Sequence, residues 1–467
     1  MKRAKVLLIS PPKGLFAGCP EKPKFQTHPQ GLLYIASILQ KNKHYVEILD
    51  AWSFGLNLDS IKIKIIDFNP HIVGITAMTI LAYDAYLVAK VVKEIDSKIV
   101  TVMGGPHATA LPEEPINTDN IDIAVIGEGE YTMVAICNQV AQGGEDLSEI
   151  RGIVYKCGKK VIKTDHAYRI EQLDKIPFPA YHLLPSMADY NPPPHWGKKG
   201  KFASVITSRG CPYGCAFCCV SEAWGRKYRY RSPDNVVDEL EFLNKKYGIT
   251  FISFRDAVAT LHKQRMIEIC KGIIDRKLKM KWNCNAKAHE VDEELLRWMK
   301  KAGCKTIMYG IESGNEQILS QFKRADKKFI EQAINLTHKI GITPYGYFMF
   351  GLPGETKETM RETIDFAKSL KLHQAGFTSV IPFPGTKLWD YCINHNLILT
   401  TDWSKYDLKG LPPSKHLNLK AEEILRAQKT AFREFYMRPK VIFYQLKNIR
   451  SFNDLKNYIL EALINLI

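Results

Sequence analysis

The sequence predicts an α/β protein in which an open, Rossmann-like parallel sheet precedes a (β/α)6 partial barrel and a helical C-terminal extension. Short apolar runs alternate with longer helical patterns up to residue 145, and the alternation resumes from residue 201. Strands that are apolar throughout and separated by helices are typical of parallel sheets covered on both faces. A proline-rich stretch between the two regions indicates where one sheet ends and the next begins.

The first region contains five predicted strands and four predicted helices. The strands fall at 5–9, 46–49, 72–76, 100–103 and 123–126, and the helices at 32–40, 58–68, 82–95 and 131–141. This order predicts a five-stranded open sheet. Ligands of such sheets bind in the crevice beyond the carboxyl ends of the strands.

The stretch from 150 to 200 differs in composition from the regions on either side of it. A small hairpin is predicted at 151–163, and six prolines follow between 176 and 194, which is too many for a helix or a central strand. We therefore predict four parts of the chain. They are the Rossmann-like domain at 1–148, the hairpin and connector at 149–200, the partial barrel at 201–390 and the helical extension at 391–467.

Six strand–helix units form the second region. Strands are predicted at 204–207, 250–254, 282–285, 306–309, 345–350 and 376–380, and helices at 236–247, 263–275, 292–301, 327–340 and 357–370. Such a series predicts a parallel barrel, complete or partial, with its chemistry at the carboxyl ends of the strands. After residue 386 we expect loops, then a helix at 421–436 and a basic, apolar tail.

Composition and charge narrow the function classes. Hydrophobic residues make up 45% of the 467 residues and charged residues 24%, which excludes wholesale disorder and fibrous repeats. The net charge of +16 favours anionic partners without choosing among nucleic acid, small anions and acidic membranes. No apolar run resembles a secretory leader or a membrane span. We therefore expect a cytoplasmic protein with reduced thiols.

Three cysteines carry the clearest chemical signal. Cys211, Cys215 and Cys218 have the spacing CxxxCxxC and directly follow a predicted strand. Three thiolates on one loop can hold three irons of a [4Fe–4S] cluster, which leaves the fourth iron open to a ligand. A closed zinc site is the less favoured alternative, because it would need a fourth ligand, usually from a second cysteine pair.

With this motif, residues 200–385 resemble the radical S-adenosylmethionine superfamily. The resemblance implies that the open iron binds S-adenosylmethionine, whose reductive cleavage yields a 5′-deoxyadenosyl radical. It also implies a set of contacts to S-adenosylmethionine at strand ends and on the cysteine loop. These are Tyr213, Phe217, Asp256, Asn285, Lys287, Gly310, Glu312, Ser313 and Gly351. The family often has arginine at the position of Lys287. Arginine can bind a carboxylate through two parallel hydrogen bonds, whereas the lysine ammonium acts as a single point charge.

The surroundings of the cysteines are basic. Eight lysines and arginines and one glutamate lie between residues 198 and 231. We expect cations near the anionic cluster to raise its reduction potential.

The first region has no Walker A sequence, and the segment 127–132 lacks the third glycine of a dinucleotide fingerprint. Its segments SPPKG, HPQGLLYIA, GGPHAT and GEGE are similar to the cobalamin-binding module of class B radical methylases. That similarity implies cobalamin contacts at Ser10, Pro11, Gly31, Thr76, Gly104, Gly105, His107, Gly127, Glu128 and Gly129. The segment 69–74 is one residue from DxHxxG, but it precedes the third strand, so we interpret His71 as a strand-edge histidine.

The resemblance implies a cobalamin-dependent radical enzyme that methylates an unactivated carbon of a small-molecule or lipid-like substrate. Oxidative cyclisation or rearrangement is the alternative of the same architecture. A methylthiotransferase-like, nucleic-acid-binding protein and a non-catalytic cobalamin sensor are alternatives of other classes. We expect an external one-electron reductant of the flavodoxin or ferredoxin type and no nucleic-acid partner. The tail at 438–467 could add peripheral membrane contact, and no catalytic side chain is predicted.

Overall fold

The computed structural model describes residues 2–193, 200–323, 325–408 and 410–448. Its first sheet has seven strands in the order β2-β1-β3-β4-β5-β6-β7. They are β1 Lys5–Ser10, β2 Tyr45–Asp50, β3 Ile72–Thr76, β4 Val100–Gly104, β5 Ile123–Val125, β6 Ile153–Cys157 and β7 Lys160–Lys163. The first five strands are parallel, and the order reverses between β1 and β3, which creates a crevice at their carboxyl ends.

Helices cover both faces of this sheet. They are α1 Gln30–Lys41, α2 Ala51–Phe54, α3 Leu58–Phe68, α4 Ala82–Ile95, α5 Pro106–Ala110, α6 Glu113–Ile116 and α7 Glu130–Gln142. Alternate residues of β1 enter different cores: Val6 and Leu8 pack with α1 and α7, whereas Leu7 and Ile9 pack with α3 and α4. This explains why the strand is apolar at nearly every position.

The sheet has two strands more than the sequence analysis assigned to it. The predicted hairpin forms, and β6 pairs antiparallel with β5 through Ile123 and Tyr155. The hairpin thereby covers the edge of β5, whose backbone groups would otherwise be unpaired. The prediction of a five-stranded sheet is wrong for this reason, and the division of the chain into domains stays a prediction.

The second sheet has six parallel strands in the order β8-β11-β12-β13-β14-β15. In chain order the strands of this region are β8 Phe202–Val205, β9 Ser208–Arg209, β10 Arg229–Tyr230, β11 Phe251–Phe254, β12 Lys281–Ala286, β13 Cys304–Glu312, β14 Thr343–Phe350 and β15 Gln374–Ser379. The short β9 and β10 form a separate antiparallel ribbon. Among the described residues β8 and β15 do not pair with each other, so the predicted (β/α)6 partial barrel is confirmed.

The helices of this region follow the predicted order with additions. They are α8 Val220–Trp224, α9 Pro233–Tyr247, α10 Lys263–Asp275, α11 Glu293–Lys301, α12 Glu316–Phe322, α13 Lys327–Lys339, α14 Lys357–Ser369, α15 Lys387–Asn394, α16 Ala421–Tyr436 and α17 Pro439–Asn448. The expectation of loops after residue 386 is wrong at α15. Thr386 caps this helix by accepting from the Trp389 N–H, and Leu388 and Cys392 are buried on its inner face.

The two sheets share one continuous core. A single buried cluster joins residues of β1 and α1 to residues of the second sheet, and Tyr181 and Tyr190 of the connector belong to it. The predicted membrane-contacting tail lies outside the described residues from 449 onward. Within the described part of the chain, none of the helices combines the length and the apolar character that crossing a bilayer requires.

Candidate functional site

The three predicted cluster ligands lie together on the loop that follows β9. Cys211, Cys215 and Cys218 are each half-buried. The Cys218 N–H donates to the Cys215 carbonyl over 3.1 Å, which curls the loop. Gly214 has φ +59°, a left-handed conformation that glycine adopts without strain. The loop thus presents its thiols from one tight turn.

The loop is also held from outside. The Ala216 N–H donates to the carbonyl of Phe322 at the end of α12, and the Ala216 carbonyl accepts from the Leu388 N–H of α15. Both helices are absent from the sequence prediction. They fix the part of the loop that lies between the second and third cysteines.

The surroundings of Cys211 and Cys218 favour the neutral form of these two thiols. Burial, and then the neighbouring Cys215 thiol, raise the pKa of Cys211, which Lys287 partly offsets. Burial raises the pKa of Cys218 to about 12. Because metal binding displaces the thiol protons, bound iron would reverse this preference. In the described ranges no three His, Cys, Asp or Glu side chains converge on a point suited to a single ion. An iron–sulfur cluster does not need such convergence, because each thiolate binds a different iron.

An unpaired ammonium group lies beside the cysteines. Lys287 follows β12, is 8% exposed, and its Nζ has no hydrogen-bond partner within the part of the chain that the structure describes. This Nζ lies 3.4 Å from the centroid of the Tyr213 ring. Burial lowers the pKa of Lys287, and the Cys215 and Cys211 thiols oppose that shift. A buried cation without an acceptor fits an anionic ligand such as a carboxylate.

The aromatic residues of the loop have separate surroundings. The Tyr213 hydroxyl lies 3.0 Å from His289 Nε2, which holds the ring over Lys287. Phe217 packs against the apolar cluster that contains Ile318 and Leu352. Their use as cofactor contacts stays a prediction.

Asp256 follows β11 and holds the backbone at the start of β9, the short strand that leads into the loop. Its carboxylate is fully buried and accepts from the Thr207 N–H over 2.7 Å, from the Ser208 N–H over 3.2 Å and from the Thr207 hydroxyl. Asn285 in turn donates from Nδ2 to the Asp256 carbonyl over 3.0 Å. These contacts give Asp256 and Asn285 positioning roles, and direct contact with S-adenosylmethionine stays a prediction for both.

Glu312 ends β13 in a strained conformation. Its φ is +72°, which is unfavourable for a residue other than glycine. Its Oε1 forms an ion pair with Lys323 Nζ at 2.6 Å, and the same Nζ donates to the Gly310 carbonyl. Strained residues persist where the surrounding contacts fix them, and they concentrate at functional sites. Lys323 was not among the predicted site residues, because its partner lies in another element.

Small side chains allow the next turn to approach α14. A Cβ on Gly314 would lie 2.5 Å from the Glu362 carbonyl oxygen. The Gly314 N–H donates to the Thr363 hydroxyl over 2.9 Å, and the buried Ser313 hydroxyl lies 3.2 Å from it. The predicted contacts Gly310, Glu312 and Ser313 all lie at the carboxyl end of β13.

Gly351 begins the turn after β14 with φ +93°. Its N–H donates to Glu355 Oε2 over 2.6 Å, and the Leu352 N–H donates to the same oxygen over 3.0 Å. Glu355 is fully buried, and this burial raises its pKa to about 7. Glu355, which closes this turn, was not among the predicted site residues.

A second candidate site lies at the reversal point of the first sheet. The structure has a cavity of about 220 Å³ there, and it brings together three of the predicted cobalamin contacts, Ser10, Gly31 and Thr76. His28 and Gln30 also line it and were not predicted. Burial lowers the pKa of His28 to about 3, so its ring is neutral. Neither ring nitrogen, nor Gln30 Oε1, has a partner among the described residues, which fits a polar ligand.

The remaining predicted cobalamin contacts, including Pro11 next to Ser10, do not line this cavity. Gly105, next to Gly104, has φ +96° and packs on the carbonyl of Ala77. His107 is fully buried, with Nε2 3.0 Å from the Tyr86 hydroxyl. The role of these residues in cofactor binding stays a prediction.

The GEGE segment leads into ion pairs with the second sheet. Glu128, between Gly127 and Gly129, accepts from Arg209 over 2.9 Å and from Arg229 over 2.7 Å. Burial raises the pKa of Glu128, but the two guanidinium groups outweigh it and hold the pKa below its usual value. Direct contact between Glu128 and a corrin stays a prediction.

The predicted basic field around the cysteines needs a correction. Arg209, Arg229 and Arg231 are buried and paired with carboxylates, so their charges are largely neutralised. The carboxylates come from segments that sequence analysis could not place nearby. Two further members, Lys198 and Lys199, lie outside the described residues.

The histidine that precedes β3 lies where the sequence predicted it. His71 exposes its ring at the strand edge and accepts from the Lys5 N–H over 3.1 Å.

Comparisons with known proteins find a family model in each of the two regions of the chain. The model of the Radical SAM superfamily matches residues 205–367, and that of the B12 binding domain matches residues 21–137. An uncharacterized methyltransferase of Pyrococcus horikoshii is 38% identical, over 95% of this chain and 94% of its own. The anaerobic magnesium-protoporphyrin IX monomethyl ester cyclase of Rubrivivax gelatinosus is 31% identical, over 89% and 75%.

A solved structure matches the whole fold. The cobalamin-dependent S-adenosylmethionine radical enzyme OxsB, with aqua-cobalamin and S-adenosylmethionine bound, superposes with a TM-score of 0.77. The match covers 99% of this chain and 71% of that chain at 17% identity. At this identity the likeness concerns the fold.

Proposed function

Because the chain belongs to the radical S-adenosylmethionine enzymes that carry a cobalamin-binding domain, we propose that it methylates an unactivated carbon of a small-molecule or lipid-like substrate. The cofactors of this family are a [4Fe–4S] cluster, S-adenosylmethionine and cobalamin. The methyltransferase from Pyrococcus horikoshii, which is similar over nearly its whole length, supports this assignment.

One hydrogen bond between the two regions of the chain is the main observation in favour of this proposal. Gln30 lines the cavity of the first sheet, and its Nε2 donates to the carbonyl of Ser204 in β8 over 2.9 Å. β8 is the strand that leads to the cysteine loop. This hydrogen bond joins the cavity of the first sheet to a strand that precedes the cysteine loop, and it supports an arrangement in which two cofactors face one substrate, as an ordered transfer requires.

When bound, the cofactors supply hydrogen-atom removal and a transferable methyl group, and the chain supplies their positions. Cys211, Cys215 and Cys218 would hold the cluster, since they are the three thiols of one loop. The Lys287 ammonium would hold the carboxylate of S-adenosylmethionine, because it is buried and lacks an acceptor among the described side chains. Lys323 would keep Glu312 in its strained conformation at the same edge.

Oxidative cyclisation is the second candidate. The 31% identical relative named as a cyclase favours it, because that similarity also extends through both regions of the chain. Both reactions begin with hydrogen removal, and they differ in whether a methyl group reaches the substrate.

A labelled cofactor separates the two. The cluster-reconstituted, cobalamin-loaded enzyme would be incubated anaerobically with a reductant, trideuteriomethyl S-adenosylmethionine and fractionated small-molecule and lipid extracts of the source cells. We expect an extract component that gains the trideuteriomethyl group, detected by mass spectrometry. The Cys215→Ala variant, which lacks one cluster ligand, should give none. A component that loses hydrogen without gaining label would instead establish the cyclase.

The partners are part of the same proposal. We propose an external one-electron reductant of the flavodoxin or ferredoxin type, because cluster reduction precedes the reaction in this family. Peripheral membrane contact is supported by Phe443 and Leu446 of α17, which are 69% and 60% exposed. Flotation with acidic liposomes tests it, and equal flotation of a chain ending at residue 437 would contradict it.

A further inference from the structure

The ribbon of β9 and β10 brackets the cysteine loop. Arg209 of β9 and Arg229 of β10 are directly paired in its antiparallel register. Two like charges in this position repel each other unless a counter-charge lies between them. Both arginines are buried, so solvent does not screen the repulsion.

The counter-charges come from the first sheet. Glu128 accepts from both arginines through different oxygens, and the first residue of α7, Glu130, accepts from Arg209 over 2.6 Å. We call this set the ionic junction; it consists of Arg209, Arg229, Glu128 and Glu130. Each of its side chains is at most 6% exposed. It contains two positive and two negative charges and is neutral as a whole.

The junction is fixed on both sides. The Ile170 N–H donates to Glu128 Oε2 over 3.0 Å, and Arg229 donates to the Ile170 carbonyl over 2.7 Å. The rings of Tyr34 and Trp224 lie 5.2 and 5.9 Å from the Arg209 guanidinium. The terminal nitrogens of both guanidinium groups are thus all paired, whereas Arg229 Nε has no partner among the described residues. This pairing and enclosure leave the side chains little freedom to rearrange.

The junction is coupled closely to the cluster ligands. Arg209 is followed by Gly210, where a Cβ would lie 2.1 Å from the Lys227 carbonyl oxygen. The Cys211 N–H then donates to the Gly225 carbonyl over 3.1 Å. The segment 225–227 thus restrains the backbone at both Gly210 and Cys211. We therefore expect a displacement of Arg209 to displace Cys211 as well.

We propose that the ionic junction is a positioning device that sets the cysteine loop relative to the cobalamin-binding domain. Its residues act through Cys211 and need not touch either cofactor. A buried ion network is suited to this task, because it has one low-energy arrangement and loses much of its stability when displaced. An ordinary apolar interface of the same size would tolerate small shifts.

The test measures the distance between the two bound cofactors. In the holoenzyme, the reduced cluster and cob(II)alamin are both paramagnetic, so the cluster enhances the spin relaxation of the cobalt signal in a distance-dependent way. We expect Glu130→Gln, whose site lies outside the predicted cobalamin contacts, to retain iron and corrin but to lose this enhancement. The control is Glu239→Gln, which breaks the equally buried ion pair with Arg231 outside the junction and should leave the enhancement unchanged.

A second measurement needs no corrin. Hydrogen exchange of the cluster-loaded protein should become faster at 127–134 and 208–230 in Glu130→Gln, and not at 127–134 in Glu239→Gln. If Glu130→Gln does not fold, Arg209→Lys keeps the charge and loses the paired geometry, and the same changes are expected. Unchanged relaxation and exchange in the junction variants, or equal changes in the control, would overturn the proposal. A wild-type protein that retains no corrin would contradict the proposed function, while the exchange data would still decide on the junction.

Discussion

At the scale of the residue, the most informative side chain is Lys287, whose charge is buried without an acceptor among the described residues. An unsatisfied buried group costs about 1–3 kcal/mol, more than a typical cation–π contact of about 0.5–1 kcal/mol returns. The free protein is thus less stable than it would be with an apolar side chain at this position. The cost is recovered when an anionic ligand binds.

Lys287→Met should therefore have opposite effects on folding and on binding. We expect the free energy of unfolding of the unloaded protein to rise by about 1 kcal/mol. S-adenosylmethionine should bind about 10- to 100-fold more weakly, because a hydrogen bond to a charged group contributes about 1.5–3 kcal/mol. Denaturant unfolding and equilibrium dialysis measure the two effects. Lys327→Met, which removes a lysine lying over Phe366, should leave binding unchanged.

Glu355 predicts a pH dependence of stability. Burial raises its pKa from 4.5 to about 7 in the folded protein. Below pH 4.5 both states are protonated; between the two values only the folded state keeps the proton. Stability therefore falls as the pH rises through this window, by about 3 kcal/mol in all, since one pKa unit equals about 1.4 kcal/mol.

Glu355→Gln removes this contribution while keeping an oxygen that accepts from Gly351 and Leu352. We expect the variant to gain stability over the wild type progressively between pH 4.5 and 7, in urea unfolding at a series of pH values. Glu331→Gln, on the exposed face of α13, should follow the wild type at every pH. A constant difference between wild type and Glu355→Gln would contradict the assignment.

At the scale of the element, the cysteine loop is held by its neighbours more than by its own conformation. Asp256 of the segment after β11 anchors the start of β9, which leads into it, and α12 and α15 hold the middle of the loop at Ala216. Loops that are positioned by a rigid scaffold are the usual carriers of function.

Asp256→Asn should loosen this anchor. An amide in place of the carboxylate deprives the donors of Thr207 and Ser208 of a charged acceptor, and a hydrogen bond to a charged group contributes about 1.5–3 kcal/mol. We expect the reconstituted variant to lose iron on dialysis faster than the wild type, measured by iron and sulfide content. Asp292→Ala removes the N-cap of α11 and costs about 1 kcal/mol, but it should retain its iron. Equal iron loss in both variants would show a general effect of instability.

At the scale of the whole molecule, the first-sheet cavity predicts where the corrin binds. Gly31 lies in the first turn of α1 and lines the cavity, and a Cβ there would meet no atom within 4 Å. A larger side chain can thus enter the space without disturbing the protein. A substitution at Gly31 can therefore show whether the corrin occupies the cavity without also impairing the folding of the protein.

Gly31→Leu should abolish near-stoichiometric retention of hydroxocobalamin on gel filtration, and Gly31→Ala should keep it. Neither variant should lose stability, because glycine within a helix is about 1 kcal/mol less favourable than alanine. Iron content should equal that of the wild type in both. Undiminished corrin retention by Gly31→Leu would place the corrin elsewhere.

Local sequence patterns were enough to predict the parallel strands of both sheets, the partial barrel and the three cysteines on one loop. These follow from local patterns, since apolar periodicity and ligand spacing are properties of neighbouring residues. The predicted residues Ser10 and Thr76 also meet at one cavity, because strand ends of a parallel sheet share an edge, and Gly31 of α1 lines the same cavity. Short helices such as α12 and α15 escaped prediction, since tertiary contacts stabilise them more than their own periodicity does.

Which charges meet depends on the tertiary structure. The arginines near the cysteines look like an exposed basic field in the sequence, yet Glu128 and Glu130, which lie 81 and 79 residues from Arg209, neutralise Arg209 and Arg229 in the interior. Conversely, Lys287 resembles any other lysine until the fold buries it without an acceptor among the described residues. The energy of a charge depends on burial and on partners that are distant along the chain, and no local pattern specifies either.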